Sequence, residues 1–292
     1  MPRGRWRWLT CLMLVGAWRA PAQAQAQTVE LAGGSGFSSG KGEGSFASSY
    51  APPFPFVEHT GLASQEVTAE RDGAPLMWAS LTWFPAAHVG LEGRVDYRRS
   101  GLHGANGPYV VSMTYIARQP PDFIAREYSY DSSADWPDTS GHTGQFNATA
   151  AVVLRMGEPK GPTLRLLAGG GITNIRGRFE PVGYSTFSLG GHSVLVVDEH
   201  RLSMRLDSTT TIGLATGAEL HVPVGGHAAL VLGWRLFVPR QMELAVTADG
   251  LAESDQGINQ LDLAEVQRTL APSPLRWRPV TSDLTAGLAL RF

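Results

Sequence analysis

Eight segments of this chain, each about the length of a strand tilted across a bilayer, alternate apolar and polar side chains with a period of two. In 145–156, Phe146, Ala148, Ala150, Val152, Leu154 and Met156 share one face, and Gln145, Asn147, Thr149 and Arg155 share the other. In 88–98, Val89, Leu91, Gly93, Val95 and Tyr97 oppose Glu92, Arg94, Asp96 and Arg98. The scheme recurs with Leu164, Leu166, Ala168, Gly170 and Ile172, with Ile212, Leu214, Ala218 and Leu220, and with Ala228, Leu230, Leu232, Trp234 and Leu236. Residues 28–38 and 75–84 keep it less cleanly, the second mixing Trp78 with Leu81 and Trp83. Residues 282–292 set Leu288, Leu290 and Phe292 against Gly287, Ala289 and Arg291, so the period persists to a residue position where frayed chains are usually polar.

The connections sharpen the reading. Residues 85–87, 157–162 and 222–226 are short and built of Pro, Gly and small residues, whereas 39–74, 99–144, 174–209 and 238–281 are long, and the two kinds strictly alternate. This predicts an all-β fold: an antiparallel transmembrane β-barrel of eight strands, with short periplasmic turns, four long external loops and both barrel ends on the periplasmic side. Weak alternation in 109–118, and a possible hairpin of 193–197 with 201–206 around Asp198-Glu199-His200, are expected as barrel strands and loop hairpins projecting beyond the membrane, with ten strands as the alternative. A soluble barrel or sandwich also alternates, with its apolar parity turned inward.

If the apolar parity faces lipid, the opposite parity lines the lumen with Glu30, Glu92, Arg94, Asp96, Arg98, Arg155, Arg165, Glu219, Arg235 and Arg291. An eight-stranded interior is just wide enough for side chains to fill, so these residues are expected to pair and close it. Arginines outnumber acids in this set, so any pore would lean toward anions. Tyr97, Trp234 and Phe146 fall near the outer rim and Trp83, Phe84 and Phe292 near the inner one, as interfacial girdles require.

Arg3, Arg5 and Arg7, the apolar 9–18 and the small-residue 22–27 read as a secretory signal peptide. The expected organisation is therefore a signal over 1–26 and one barrel domain over 27–292. Cys11, the only cysteine, falls inside the signal, which leaves no disulfide or thiolate chemistry. A net charge of -2 argues against a nucleic-acid partner, and 34 Gly with abundant Ser and Thr favour strands and turns. Only 257–269 could pass for a short helix.

The tail "TAGLALRF" resembles the C-terminal signal of outer-membrane β-barrels, with a polar Thr285, Gly287, an apolar Leu290 and a terminal Phe292. "LTWFPAAHVGLEGRVDY" looks like the second and third strands of the small OmpA-like and OmpX-like porin-family barrels, and "PTLRLLAGGGIT" like the fifth. The resemblance implies an outer-membrane location among lipid and lipopolysaccharide. It also implies that the barrel-assembly machinery reads the last strand, whose end closes on the first. The long loops depart from that family, and no peptidoglycan-binding domain follows the barrel.

Function is then expected in the external loops. The run 52–56, Tyr128, Tyr130 and Trp136 suit contact with a partner surface or lipopolysaccharide, or packing of the loops on one another. His103, His142, His192 and His200, with Asp131, Asp135, Asp198 and Asp207, supply the residue types of a hydrolase, as in a lipid A-modifying enzyme, but in no recognised motif. His192 with Asp198, Glu199 and His200 lacks a metal-ligand spacing. Gly169-Gly170-Gly171 reads as strand, not phosphate loop. No cofactor and no catalytic residue is expected; an envelope-structural or surface-interaction role leads, with a small porin and a lipid-modifying enzyme as alternatives.

Overall fold

The computed structural model describes residues 28–40, 42–53, 59–118, 124–158, 161–189, 195–254 and 261–292. The expected signal over 1–26 lies outside them, as do His192 and most of 52–56. The chain forms β1 (Thr28–Ser39), β2 (Glu43–Tyr50), β3 (His59–Arg71), β4 (Ala74–Phe84), β5 (Val89–Gly104), β6 (Tyr109–Arg118), β7 (Ala125–Ala134) and β8 (Thr139–Met156). There follow β9 (Thr163–Leu189), β10 (Leu195–Pro223), β11 (Ala228–Pro239), β12 (Met242–Leu244), β13 (Val246–Ser254), α1 (Leu263–Thr269), β14 (Leu275–Trp277) and β15 (Thr281–Arg291).

Eight of these strands close a ring in the order β1, β4, β5, β8, β9, β10, β11, β15, each pair antiparallel. The seam is β15 on β1, with Gly34 opposite Gly287 and Leu31 opposite Leu290. At its end Phe292 N donates to Val29 O at 2.9 Å and Val29 N to Phe292 O at 3.3 Å, so the last residue holds the first strand. The ten-stranded alternative gives way to eight. The three short connections and both ends of the ring lie at one end, and the four long connections at the other.

Side chains along the ring do not keep one polarity. On β5 the outward parity runs Val89, Leu91, Gly93, Val95, Tyr97 and then Arg99 and His103, while the inward parity runs Glu92, Arg94, Asp96, Arg98 and then Ser100 and Leu102. On β9, outward Leu164, Leu166 and Ile172 give way to Asn174, Arg176 and Arg178, while inward Arg165 and Thr173 give way to Ile175 and Phe179. The lower part is thus apolar outside and charged inside, and the upper part is the reverse. The inversion lies at one level, since Tyr97 pairs with Phe146 and Phe146 with Asn174.

Above that level the four long connections build a β-rich cap. β9 and β10 continue into it as long strands; β13 pairs with β10 from His200 to Leu206, and β3 joins β5 through Arg71 opposite Leu102. β3 also pairs with β2 and β6, and β6 with β7. Their inner faces enclose an apolar core that includes Phe46, Val67, Met113, Phe179, Met204 and Leu244, covered by Val266 of α1 and Trp277 of β14. Phe46 meets Phe179 edge-on at 5.5 Å, and Tyr50 stacks on Tyr184 at 4.3 Å. The backbone edge of β2 is covered by 271–273, through Ala271 N to Ser49 O and Ser273 N to Ala47 O, both 2.8 Å.

The weak 109–118 segment is β6, which pairs with β7 as a cap hairpin, as expected for a projecting loop. Other expectations change. Asp198-Glu199-His200 forms no hairpin turn: it lies inside β10, which pairs continuously with β9 there because His200 opposite Tyr184 extends the barrel register upward. Of the expected 257–269, residues 257–260 lie outside the described ones; among the described residues the helix is α1, where the Asp262 carboxylate accepts from Ala264 N at 2.9 Å as an N-cap. Of the two readings of Tyr128, Tyr130 and Trp136, loop packing is the one found: they pack on the cap core, with Tyr128 stacked on Tyr115 at 5.5 Å and Trp136 tilted against Tyr109 at 5.2 Å. Phe84 is no girdle residue. It is 1% exposed and faces the lumen, whereas Trp83 beside it, at 41%, faces out.

Candidate lumenal plug and outer rim

The lumen holds three tiers of charge. In the inner tier, nearest the short turns, Glu30 pairs with Arg165, with Arg291 Nε at 3.2 Å and with Arg155 Nη1 at 3.7 Å. The Arg155 and Arg165 guanidinia lie 3.7 and 5.0 Å from the Phe84 ring centre, a cation–π floor that explains why an aromatic occupies this inward position. In the middle tier Arg235 Nη2 donates to Glu219 Oε1 at 2.6 Å and reaches Glu92 Oε1 at 2.7 Å. Glu219 also receives Arg94 Nη1 at 3.4 Å and contacts His221 Nε2 at 3.2 Å, and Arg94 lies 4.4 Å from the Trp78 ring.

In the outer tier Arg98 pairs with Asp96 and grips Asp283 in a fork at 2.7 and 3.1 Å. Asn147 Nδ2 donates to Asp96 Oδ1 at 2.9 Å, and Gln145 Nε2 donates to Asn147 Oδ1 at 3.0 Å and Thr173 Oγ1 at 3.1 Å. Arg71, from β3, descends from the cap to donate to Gln145. All ten charged residues expected in the lumen stand there and meet in these tiers. Asp283, His221 and Arg71 join them; the first two share the inward parity of their strands, while Arg71 comes from a long connection that no barrel pattern reaches.

Packing completes the closure. The cavity lined by Arg94, Asp96, Asn147, Arg235 and Asp283 has a volume of about 20 Å³, room for about one water. Of the C-terminal residues, Thr285 faces inward and Leu290 and Phe292 face out, exposed by 47% and 74%. Gly287 faces the Trp78 ring, and a Cβ there would fall 2.8 Å from Trp78 Cζ2, so its missing side chain admits the indole. Gly169 and Gly171 sit mid-strand in β9, as the sequence suggested.

The outer wall fixes the surroundings. Leu31, Leu81, Leu91, Val152, Leu166, Leu214, Leu232, Leu284 and Leu288 are all exposed on it, Leu214 by 73%. Spans such as 89–97 and 164–172 match the about 9–11 residues of a tilted membrane strand. A soluble barrel would not leave this continuous belt in water while burying paired charges at its centre. The chain is a membrane-spanning β-barrel. Tyr97, Phe146 and Trp234 mark its outer interface and Trp83 and Phe292 its inner one.

Beyond the membrane, the candidate histidines fall into separate settings. His200 Nε2 lies 2.9 Å from Thr186 Oγ1 and 3.8 Å from Asp198 Oδ2; both contacts use one nitrogen, where a relay needs the acid on the other. His103 faces Asp72 at 3.0 Å and Glu70 at 3.6 Å, one carboxylate per nitrogen. Asp131 accepts from Ser112 at 2.7 Å, Asp207 from Arg205 at 2.9 Å, and Asp135 is exposed. His142 stands outward on β8; burial and the Arg99 and Arg178 guanidinia lower its pKa. Among the described residues no cluster of three His, Cys, Asp or Glu suits a metal ion.

No protein-family model matches the chain, and no curated protein is similar to it. Among solved structures it is similar to the outer membrane protein OprG of Pseudomonas aeruginosa, at 10% identity and a TM-score of 0.44 over 92% of this chain and 97% of that one. The outer membrane protease OmpT of Escherichia coli aligns at 7% identity and 0.45 over 91% and 96%, and the attachment invasion locus protein Ail of Yersinia pestis at 11% and 0.33 over 88% and 99%. At these levels no residue of theirs maps onto this chain.

Proposed function

We propose that this protein is a closed outer-membrane anchor that presents a rigid external β-cap, serving surface interaction or envelope structure rather than solute passage. The carrying observation is the three-tiered lumen, whose charges pair with one another across the barrel around a cavity of only about 20 Å³. Opposite charges in a dry lumen lose hydration and recover it only by pairing, so the tiers act as a brace. A brace of this kind suits a scaffold that must hold a cap in one orientation. The cap adds its own apolar core, so its long connections form one presented surface instead of separate loops.

The same reading assigns no catalytic step and no cofactor. It takes Thr285, Gly287, Leu290 and Phe292 as the strand that the barrel-assembly machinery engages before the seam with β1 forms. Liposome swelling tests it: vesicles carrying the folded protein should not swell in iso-osmotic small sugars, and swelling at a porin's rate would replace the anchor with a channel.

A further inference from the structure

Just above the outer aromatic level, the barrel wall carries an outward hollow of about 560 Å³. Its lower row is Arg99, Gly144 and Arg176, consecutive cross-strand partners on β5, β8 and β9. Its upper row is His142, Arg178 and Arg205 on β8, β9 and β10. Strands lie about 4.8 Å apart, so the two arginines of the lower row flank a gap of about 10 Å. Gly144 leaves that gap open, and the Tyr97 hydroxyl forms its floor, 3.3 Å from where a Cβ on Gly144 would stand.

Charge in the hollow is uneven. Arg205 is held by Asp207 at 2.9 Å and Arg178 by Asp249 at 3.5 Å, and Asp207 also accepts from Thr247 at 3.1 Å. The two acids are therefore occupied, while Arg99 and Arg176 have no carboxylate partner among the described residues. Directly beneath them run Tyr97, Phe146 and Asn174, with Ile172 one row lower, so the exposed lipid-facing wall begins at Tyr97 and Phe146. An anion held between the two guanidinia thus sits at headgroup height, with apolar surface leading away from it into the bilayer.

We propose that this hollow binds the phosphate of an outer-leaflet lipid headgroup, with Arg99 and Arg176 as its two donors and Tyr97 beneath. The phosphate oxygens accept from the guanidinium N–H groups, and the acyl chains lie on the wall below. The lipid is favoured over a free phosphate because the hollow opens onto that wall. The site rests on the membrane orientation given above, and the two fail differently: a wrong orientation leaves the wild type without lipid or detergent belt, whereas a wrong site leaves the belt intact.

The test is native mass spectrometry of the folded protein released from neutral maltoside micelles, titrated with dipalmitoyl phosphatidic acid, dipalmitoylglycerol or inorganic phosphate. The wild type should retain phosphatidic acid in preference to dipalmitoylglycerol. Arg99→Ala with Arg176→Ala should weaken that retention about tenfold or more, and Arg268→Ala with Arg276→Ala, exposed on the cap outside the hollow, should leave it unchanged. Equal retention by the first pair of variants would overturn the site, as would equal loss in the second pair. Displacement of the lipid by equimolar inorganic phosphate would show a free-anion site and overturn the lipid assignment. Heat-modifiable gel mobility confirms that each variant is folded.

Discussion

Arg98 and Asp283 meet across the lumen as a fork, Nη1 to Oδ1 at 2.7 Å and Nη2 to Oδ2 at 3.1 Å, tying β5 to β15 although β4 and β1 lie between them in the ring. Both are buried, and such two-point pairs are directional as well as strong. Arg98→Ala strands Asp96 and Asp283 together, so a loss of about 3–5 kcal/mol is expected. Asp283→Ala should cost less, because Arg98 keeps Asp96. Denaturant unfolding of the refolded protein in detergent measures both, and equal losses would contradict the tier as described.

The outward belt is a statement about solvent. Leu214 is mid-belt, opposite Gly170 on β9. Leu214→Arg at that depth should destabilise the inserted barrel by about 2–4 kcal/mol. Thr210→Arg, on the same face but at the level of the polarity inversion, should be nearly neutral. Comparing folded fractions in bilayers of one thickness checks the pair, and indifference at Leu214 would count against a lipid-facing wall.

His142 reports the basic hollow. Burial, then Arg99 and Arg178, lower its pKa from the usual 6.5. The folded value lies below the unfolded one, so this histidine's contribution to stability is present above pH 6.5 and is lost as pH falls through the folded value. Arg99→Ala should move the pKa back upward, since a positive neighbour is removed. Histidine NMR titration of the folded protein reads the shift directly, and an unmoved or lowered value would deny that Arg99 acts on this site.

The cap has an alkaline limit. Tyr50 hydrogen-bonds Tyr109 and Ser185, and Tyr109 donates to Ser185 Oγ at 2.9 Å. Burial pushes the Tyr50 phenol well above its ordinary 10.0, with the Tyr109 charge adding to it, and burial likewise raises Tyr109. The folded values exceed the unfolded ones, so this contribution is full below about pH 10 and declines as pH rises beyond it. Tyrosinate absorbance should show two phenols that titrate only as the cap opens to protease. Ionisation of both at the ordinary value with the cap intact would refute that packing.

Much of the barrel was legible because one parity faces one solvent. In β5 and β8 the alternation of Val89 to Tyr97 and of Phe146 to Met156 identifies strand, face and register together. Asp283 was missed, although it shares the inward parity of Gly287 and Arg291. Phe84 was not legible: hydropathy sorts it with Trp83, whereas its partners are the Arg155 and Arg165 guanidinia. The cap was hidden by the inversion itself. On β9 the apolar parity passes from Ile172 outside to Ile175 and Phe179 inside, so a pattern followed on one parity dissolves where the strand leaves the membrane. On β10 the register shift between Leu206 and Thr209 adds a second break. Arg71 reaches the lumen from a cap strand, a contact that only tertiary structure defines.

Single-channel recording in a planar bilayer tests the closed lumen most directly, using the folded protein with Arg94→Ala and Glu92→Ala alongside. The wild type, shown to be inserted, should be electrically silent under voltage, with openings appearing only when a tier loses a member. Steady wild-type ion steps whose size changes in either variant would contradict the plug and make the lumen a channel.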